Sequence, residues 1–171
     1  EVFIDGATML DTSAFVAALA RHGVTRLNLV PSHMEGVLRH LEKEQATLPA
    51  LRMCITAGEP LSSELVVKFR SVLPRARLIN NYGCTELNDI TYYDTADFDA
   101  SEGFVPSGIP IRDTRVYLLD SRKRLVPDGV IDHALPDVPR ALAAMLANRD
   151  PYVDTLAIES LPSGLGLSMT L

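Results

Sequence analysis

The sequence predicts an α/β fold: a parallel sheet flanked by helices, then a short β hairpin and an α/β tail. Three observations predict it. Strand-like runs alternate with amphipathic helical stretches through the first 80 residues. Each helical stretch carries its apolar residues at spacings of three and four, on one face. After Glu86 the pattern changes to short β-rich runs separated by polar turns.

Taken in order, Val2 to Ile4 is a β-branched and aromatic run closed by the turn pair Asp5-Gly6. Asp11, Thr12 and Ser13 offer N-caps for a helix through His22, with Phe15, Ala18 and Leu19 at core spacing and Gly23 as its stop. Arg26 to Val30 reads as a buried strand. Pro31 then opens a helix, where its missing N–H has no helical partner to lose. Met34, Val37, Leu38 and Leu41 share one face of that helix; Glu35, Arg39, Glu42 and Lys43 share the other. Leu51 to Thr56 is a third strand, closed by Ala57-Gly58-Glu59-Pro60. Ser62 and Ser63 cap a helix that carries Leu65, Val66, Phe69 and Leu73 inward, and Pro74 ends it. Ala76 to Ile79 is a fourth strand.

Successive β-loop-α units imply parallel pairing with right-handed crossovers. In such sheets ligands sit outside the carboxyl ends of the strands. That singles out the loops Pro31-Ser32-His33, Ala57-Gly58-Glu59-Pro60 and Asn80 to Glu86. Further on, Ile90 to Tyr93 and Arg115 to Asp120 read as strands. The second turns at Ser121-Arg122-Lys123-Arg124 and returns at Leu125-Val126, the hairpin of the prediction. Pro127-Asp128-Gly129 marks another change. Beyond it Val138 to Ala147 reads as a helix with Val138, Leu142, Met145 and Leu146 on its apolar face. Tyr152 to Ile158 reads as a strand and Leu161 to Gly166 as a loop. There is no internal repeat and no low-complexity segment.

Composition narrows the function classes. The 171 residues are 47% apolar and 22% charged, a globular balance. Sixteen basic against twenty-two acidic residues give a net charge of −6, against the basic footprint of a nucleic-acid surface. No apolar run approaches the roughly 18 residues of a membrane span. Cys54 and Cys84 are too few for a disulfide scaffold or a structural zinc site. The chain opens at Glu1 with no basic-then-apolar leader, which reads as a cytoplasmic domain cut from a longer polypeptide.

The most specific string is Asn80-Asn81-Tyr82-Gly83-Cys84-Thr85-Glu86. It offers an aromatic face, a glycine that permits close backbone approach, a hydroxyl and a carboxylate, a kit suited to a nucleotide and a hard cation such as Mg²⁺. The same residues also suit a capped strand-to-helix turn around a buried tyrosine. Cys84 reads as a small buried filler. His22 and His40 sit near helix C-termini, favourable with the dipole, and read as structural. His133 has no Cys or His close by in sequence, Asp94, Asp97 and Asp99 read as a solvated loop, and Gly164-x-Gly166 is too short for a phosphate loop.

Four segments in order resemble the adenylating ligases: acyl-CoA synthetases, luciferases and, most closely, the amino-acid adenylation domains of nonribosomal peptide synthetases. Val24 to Ser32 is similar to the strand and turn before the acyl-binding helix. Met53 to Leu61 is similar to the T-A-G-E stretch, and Asn80 to Glu86 to the N-x-Y-G-x-T-E motif. Val105 to Ile111 with Arg115 to Asp120 is similar to the G-x-P-I…V-Y-V-L-D segment. The resemblance covers about residues 1–130 and implies the flavodoxin-like subdomain of a ligase core.

It also implies roles. Tyr82 stacks on adenine, Gly83 lets the backbone approach, Thr85 contacts the α-phosphate and Glu86 helps hold Mg²⁺; Gly58 and Glu59 line the adenine side. Asn28, His33, Ile55, Ala57, Asn81, Asp89 and Ile90 line the acyl side, with Asn28 and Asp89 making the pocket floor polar. The family's phosphate loop belongs upstream. Where G-E-L and later T-G-D are expected, the chain reads Gly129-Val130-Ile131-Asp132-His133-Ala134-Leu135. Arg149 to Val153 and Leu161 to Gly164 are similar to the end of the family's C-terminal domain, but its lysine is Leu165 here; a linker or the start of a neighbouring domain fits the same residues.

The expectation is therefore a truncated, non-catalytic adenylation-like domain of a nonribosomal peptide or hybrid synthetase, acting as scaffold or docking element. Residues 1–130 form the partial core and 131–171 a divergent tail or linker. Its expected partners are neighbouring synthetase domains and a carrier protein, with no nucleic acid and no membrane. ATP or AMP and Mg²⁺ serve the parent family, with none bound tightly by this chain and no catalytic residue in it. The alternative is a fragment of an active adenylation domain, which activates an amino or other carboxylic acid as acyl-AMP for transfer to a carrier-protein thiol. A third reading is a stand-alone nucleotide-binding domain of flavodoxin-like shape.

Overall fold

Helix formation in the computed structural model, which describes residues 2–84, 88–102, 105–112, 114–119, 122, 124, 155–160 and 165–170, begins at Asp5. The pair Asp5-Gly6 is not a strand-closing turn. Asp5 caps helix α1 (Gly6–Leu10), its carboxylate accepting from Thr8 N and Thr8 Oγ1 at 2.9 Å each. A short side chain that accepts from a backbone N–H three residues on serves a turn and a cap equally well, so the sequence alone leaves both open.

The chain divides into two compact units, Glu1–Asn80 with Asp94–Val105, and Asn81–Tyr93 with Pro106–Leu171. Strands β1 (Arg26–Leu29), β2 (Met53–Thr56), β3 (Arg77–Cys84), β4 (Asn88–Asp94) and β5 (Ile109–Pro110) follow one another in sheet order.

In the first unit Val2 to Ile4, expected as the first strand, is in no strand; from Thr12 onward the β-α alternation appears as predicted. Helix α2 (Thr12–Arg21) is capped by Asp11, which accepts from Ser13 N and Ala14 N at 2.9 and 3.1 Å. It buries Phe15, Val16, Ala18 and Leu19, and Gly23 follows at φ +58. Helix α3 (Pro31–Glu44) buries Met34, Val37, Leu38 and Leu41 and stops at Gln45, whose φ of +50 breaks the helix. Helix α4 (Ser63–Val72) is capped by Ser62, which accepts from Leu65 N, and buries Leu65, Val66 and Phe69. Neighbouring helices pack α2 on α3 and α3 on α4.

β1 pairs parallel with β2, and β2 with β3, in the registers Asn28↔Ile55↔Ile79 and Leu29↔Thr56↔Asn80. One side of these strands buries Leu29, Cys54, Thr56 and Leu78. β1 is not the buried strand of the prediction: it is first in sheet order, and Arg26 and Asn28 are exposed. Segment 94–102 is fixed by Arg70, which donates to the carbonyls of Thr95, Ala96 and Phe98, and by an ion pair between Arg77 and Asp94.

In the second unit β4 pairs antiparallel with β5, so the sheet is mixed. Thr91 Oγ1 donates to the Ser107 carbonyl at 2.6 Å, and Ile111 N to the Ile90 carbonyl at 2.9 Å. β6 (Thr114–Leu119) pairs antiparallel with β7 (Thr155–Ser160), and β7 with β8 (Leu165–Thr170), as a three-stranded sheet. The expected hairpin return at Leu125-Val126 and the helix at Val138 to Ala147 lie outside the described residues. Leu165 and Gly166, expected in a loop, open β8 instead, because they pair with Ser160 and Glu159.

Candidate functional site

In the first unit, the parallel pairing puts the starts of α3 and α4 and the loop after β2 at the carboxyl ends of the strands, where ligands of such sheets sit. Asn28 and Ile55 are register partners on one face, the first exposed and the second half-buried. Ala57 is half-buried. Gly58 turns the loop at φ +85, a conformation that strains any residue with a Cβ, and it exposes Glu59. His33 lies in the first turn of α3, half-buried, with its ring 5.1 Å from that of Phe15.

Glu59 has partners that sequence reading missed. Its carboxylate accepts from Ser32 N and Ser32 Oγ at 2.9 Å each. Twenty-seven residues separate the pair, so no local pattern announces it. Beside it a cleft of about 360 Å³ is lined in part by Ser32, Glu35, Glu59, Ser62, Glu64 and Lys68. Three carboxylates facing one ammonium disfavour a polyanion there. The Glu64 carboxyl is held below its ordinary value, first by a backbone hydrogen bond at its own N–H and then by the Ser62 hydroxyl. A larger groove of about 490 Å³, lined by residues including Glu42, Val67, Lys68 and Ser71, touches none of the binding residues expected from sequence.

In the second unit, the string expected to form a loop from Asn80 continues β3 as far as Cys84. Strand alternation therefore sends Asn81 and Tyr82 to opposite faces, where a loop could have gathered them. Asn81 is buried and donates from Nδ2 to Asp89 Oδ1, so two residues assigned to the acyl side meet directly. Asp89 is exposed, Ile90 beside it is fully buried, and Tyr82 and Gly83 are half-buried. Thr85 and Glu86 lie outside the described residues. Back in the first unit, Asp94 accepts from Ala96 N with one oxygen while the other pairs with Arg77, and Asp99 accepts from Ser101 N, which holds the Asp99 carboxyl below its ordinary value. Among the described residues no group of three His, Cys, Asp or Glu converges as a metal site, and no helix is long and apolar enough to cross a membrane. Cys54 is a free thiol whose pKa burial pushes up to about 12, which keeps it neutral and unreactive.

Comparison with known proteins matches residues 1–131 to the AMP-binding enzyme family. The β-alanyl-bioamine nonribosomal peptide synthetase ebony of Drosophila melanogaster is 35% identical over 155 residues, 85% of this chain and 18% of that protein. The crystal structure of the nonribosomal peptide synthetase FmoA3 (S1046A) superposes with a TM-score of 0.70 at 21% identity, over 92% of this chain and 15% of that one. That of the anthranilate CoA ligase AuaEII, in complex with anthranoyl-AMP, gives 0.68 at 20%, over 97% of this chain and 27% of that one. The chain thus spans less than a third of each of these relatives.

Proposed function

The chain belongs to the AMP-binding enzyme family, as an adenylation-domain fragment of nonribosomal-peptide-synthetase-like ligases, and we propose that it forms the acid- and adenine-lining part of such a domain. In the longer ligase that part serves attack of a substrate carboxylate on the α-phosphate of ATP, giving acyl-AMP and pyrophosphate, before the acyl group passes to a carrier-protein thiol. Neighbouring synthetase domains are its partners and the cytoplasm its setting. Residues 1–130 are the core in this reading and 131–171 a divergent tail, which the family match ending at residue 131 supports.

The observation that carries the reading is the Asn81–Asp89 hydrogen bond. It fixes a carboxylate that presents a negative charge suited to the ammonium of an amino acid. A small amino acid is in keeping with the relative ebony, a β-alanyl-bioamine nonribosomal peptide synthetase. Tyr82, Thr85 and Glu86 keep the roles implied by the N-x-Y-G-x-T-E motif. A Mg²⁺ held with the phosphates supplies charge neutralisation when bound.

On its own the 171-residue chain is non-catalytic in this reading, a scaffold for ligand-side loops. The acid-rich cleft at Glu35, Glu59 and Glu64 supports that half, since it repels a triphosphate. Stacking of one base contributes about 1–3 kcal/mol. A millimolar dissociation constant already needs about 4 kcal/mol. Calorimetric titration of the chain with Mg·ATP and with AMP is therefore expected to show binding at about 1 mM or weaker. Micromolar binding abolished by Tyr82→Ala would show a working nucleotide site and overturn the non-catalytic half.

A further inference from the structure

Helix α3 begins with a deficit. Pro31 has no N–H, and the N-cap residue Val30 has no side-chain acceptor to offer the first turn. The next donor, Ser32 N, takes its partner from another loop, the Glu59 carboxylate, which holds Ser32 Oγ with its second oxygen. We infer that Glu59 is a positioning residue, a clamp that makes the loop after β2 and the first turn of α3 one mechanical piece.

Two oxygens engaged by two donors of one residue fix distance and orientation together, as a single bond cannot. A carboxylate is also the group that the amino-terminal end of a helix favours. The left-handed Gly58 brings Glu59 to this place. On the far side of the clamp His33 follows Ser32 directly and packs on Phe15, so a shift of the loop is felt at His33. Glu59 thus serves the adenine side by placing the loop, while its side chain is turned to the helix. The inference deepens the proposed function and rests on it for the ligand measurement alone.

The test uses the full 171-residue chain with Ser32→Ala, Glu59→Ala, Glu59→Gln and the double alanine variant. Amide hydrogen exchange is read first. Glu59→Ala is expected to speed exchange at Ser32 by about tenfold, as loss of a charge-assisted bond implies, with Leu38 and Phe69 unchanged. Ser32→Ala removes the Oγ half of the contact and is expected to speed exchange at the amide of position 32, by less than Glu59→Ala does. Glu59→Gln keeps an acceptor for Ser32 N and is expected to restore most of the protection; a general loosening of the fold would not be rescued in this way. Should Glu59→Ala fail to fold, Ser32→Ala and Glu59→Gln still carry the test.

Affinity for a non-hydrolysable aminoacyl-sulfamoyl adenosine is read second. Both single alanine variants are expected to weaken it by a similar factor of roughly three to ten, and the double no further. Wild-type exchange at Ser32 in a folded Glu59→Ala protein overturns the clamp, and so do additive losses in the double variant. Exchange effects as expected, without any binding of the analogue by the wild type, support the clamp and overturn the proposed function.

Discussion

The two units hold together by different means. In the first, neighbours in sequence become neighbours in space: each helix buries residues three and four apart, and each start is marked by a local cap or proline. In the second, the main joins are ladders between distant residues, such as Thr114↔Ser160 and Leu119↔Thr155. Fully buried side chains such as Met34, Leu38, Val66 and Phe69 recur through the first unit; in the second, among the described residues, Ile90 is fully buried whereas Val116 and Tyr117 on β6 are half-buried. A core made of helix faces concentrates stability in single large side chains. A ladder spreads it over many backbone hydrogen bonds.

The largest expected effect tests that contrast directly. Phe69 is 1% exposed, and Phe69→Ala should cost about 3–5 kcal/mol by loss of transfer energy and by the cavity left behind. Val116→Ala, at a half-buried ladder position, should cost about 1 kcal/mol or less. Denaturant unfolding of both variants supplies the comparison. Equal losses would mean that the second unit also rests on side-chain packing.

The same contrast explains what could be read from the sequence. Helix faces at Phe15–Leu19, Met34–Leu41 and Leu65–Phe69 follow from periodicity, and the parallel order from the β-α alternation. The pairing of Thr114–Leu119 with Thr155–Ser160 has no local signal, because the two runs are joined by a long stretch of chain. A polar turn at Ser121–Arg124 pointed instead to the nearest return. The string from Asn80 misled for a related reason. Its Asn and Gly are turn formers, yet they continue a strand started by Leu78 and Ile79. Among the site residues, motif spacing brought Asn81 and Asp89 onto one list and the structure shows them bonded; the Ser32–Glu59 contact appeared only with the structure.

A smaller effect probes the second unit where backbones approach most closely. Gly108 adopts φ +89, and a Cβ built on it would lie 1.7 Å from the Tyr92 carbonyl oxygen. Neither backbone can yield cheaply, since Thr91 and Tyr92 are held in register with Pro110 and Ile109. Gly108→Ala should therefore cost about 1–3 kcal/mol and loosen β4 and β5. Amide exchange at Ile111, whose N–H donates to the Ile90 carbonyl, reports it. An alanine variant with wild-type protection there would show that these strands tolerate separation, and that the ladder is softer than its pairing suggests.

The smallest effect concerns α1, the α-helix among the described residues that buries nothing. α1 has no buried residue, so it isolates the local signal from the packing that supports α2, α3 and α4. Its cap, Asp5, has a carboxyl held below the ordinary 3.8, first by the Thr8 N–H and then by the Thr8 hydroxyl. A carboxyl whose pKa is lower in the folded chain than in the unfolded one favours folding above 3.8, and that contribution disappears as pH falls through the lowered value. Protection of the Thr8 amide should accordingly be present at pH 5 and decline on acidification below about 4, before any change at Leu38 or Phe69. Asp5→Asn removes the titrating group but keeps an acceptor for Thr8 N, so its Thr8 protection should be smaller at pH 5 and flat with pH. If the wild type proves flat down to about pH 2, the carboxylate is not what starts this helix, and local capping without burial is too weak here to be read from sequence.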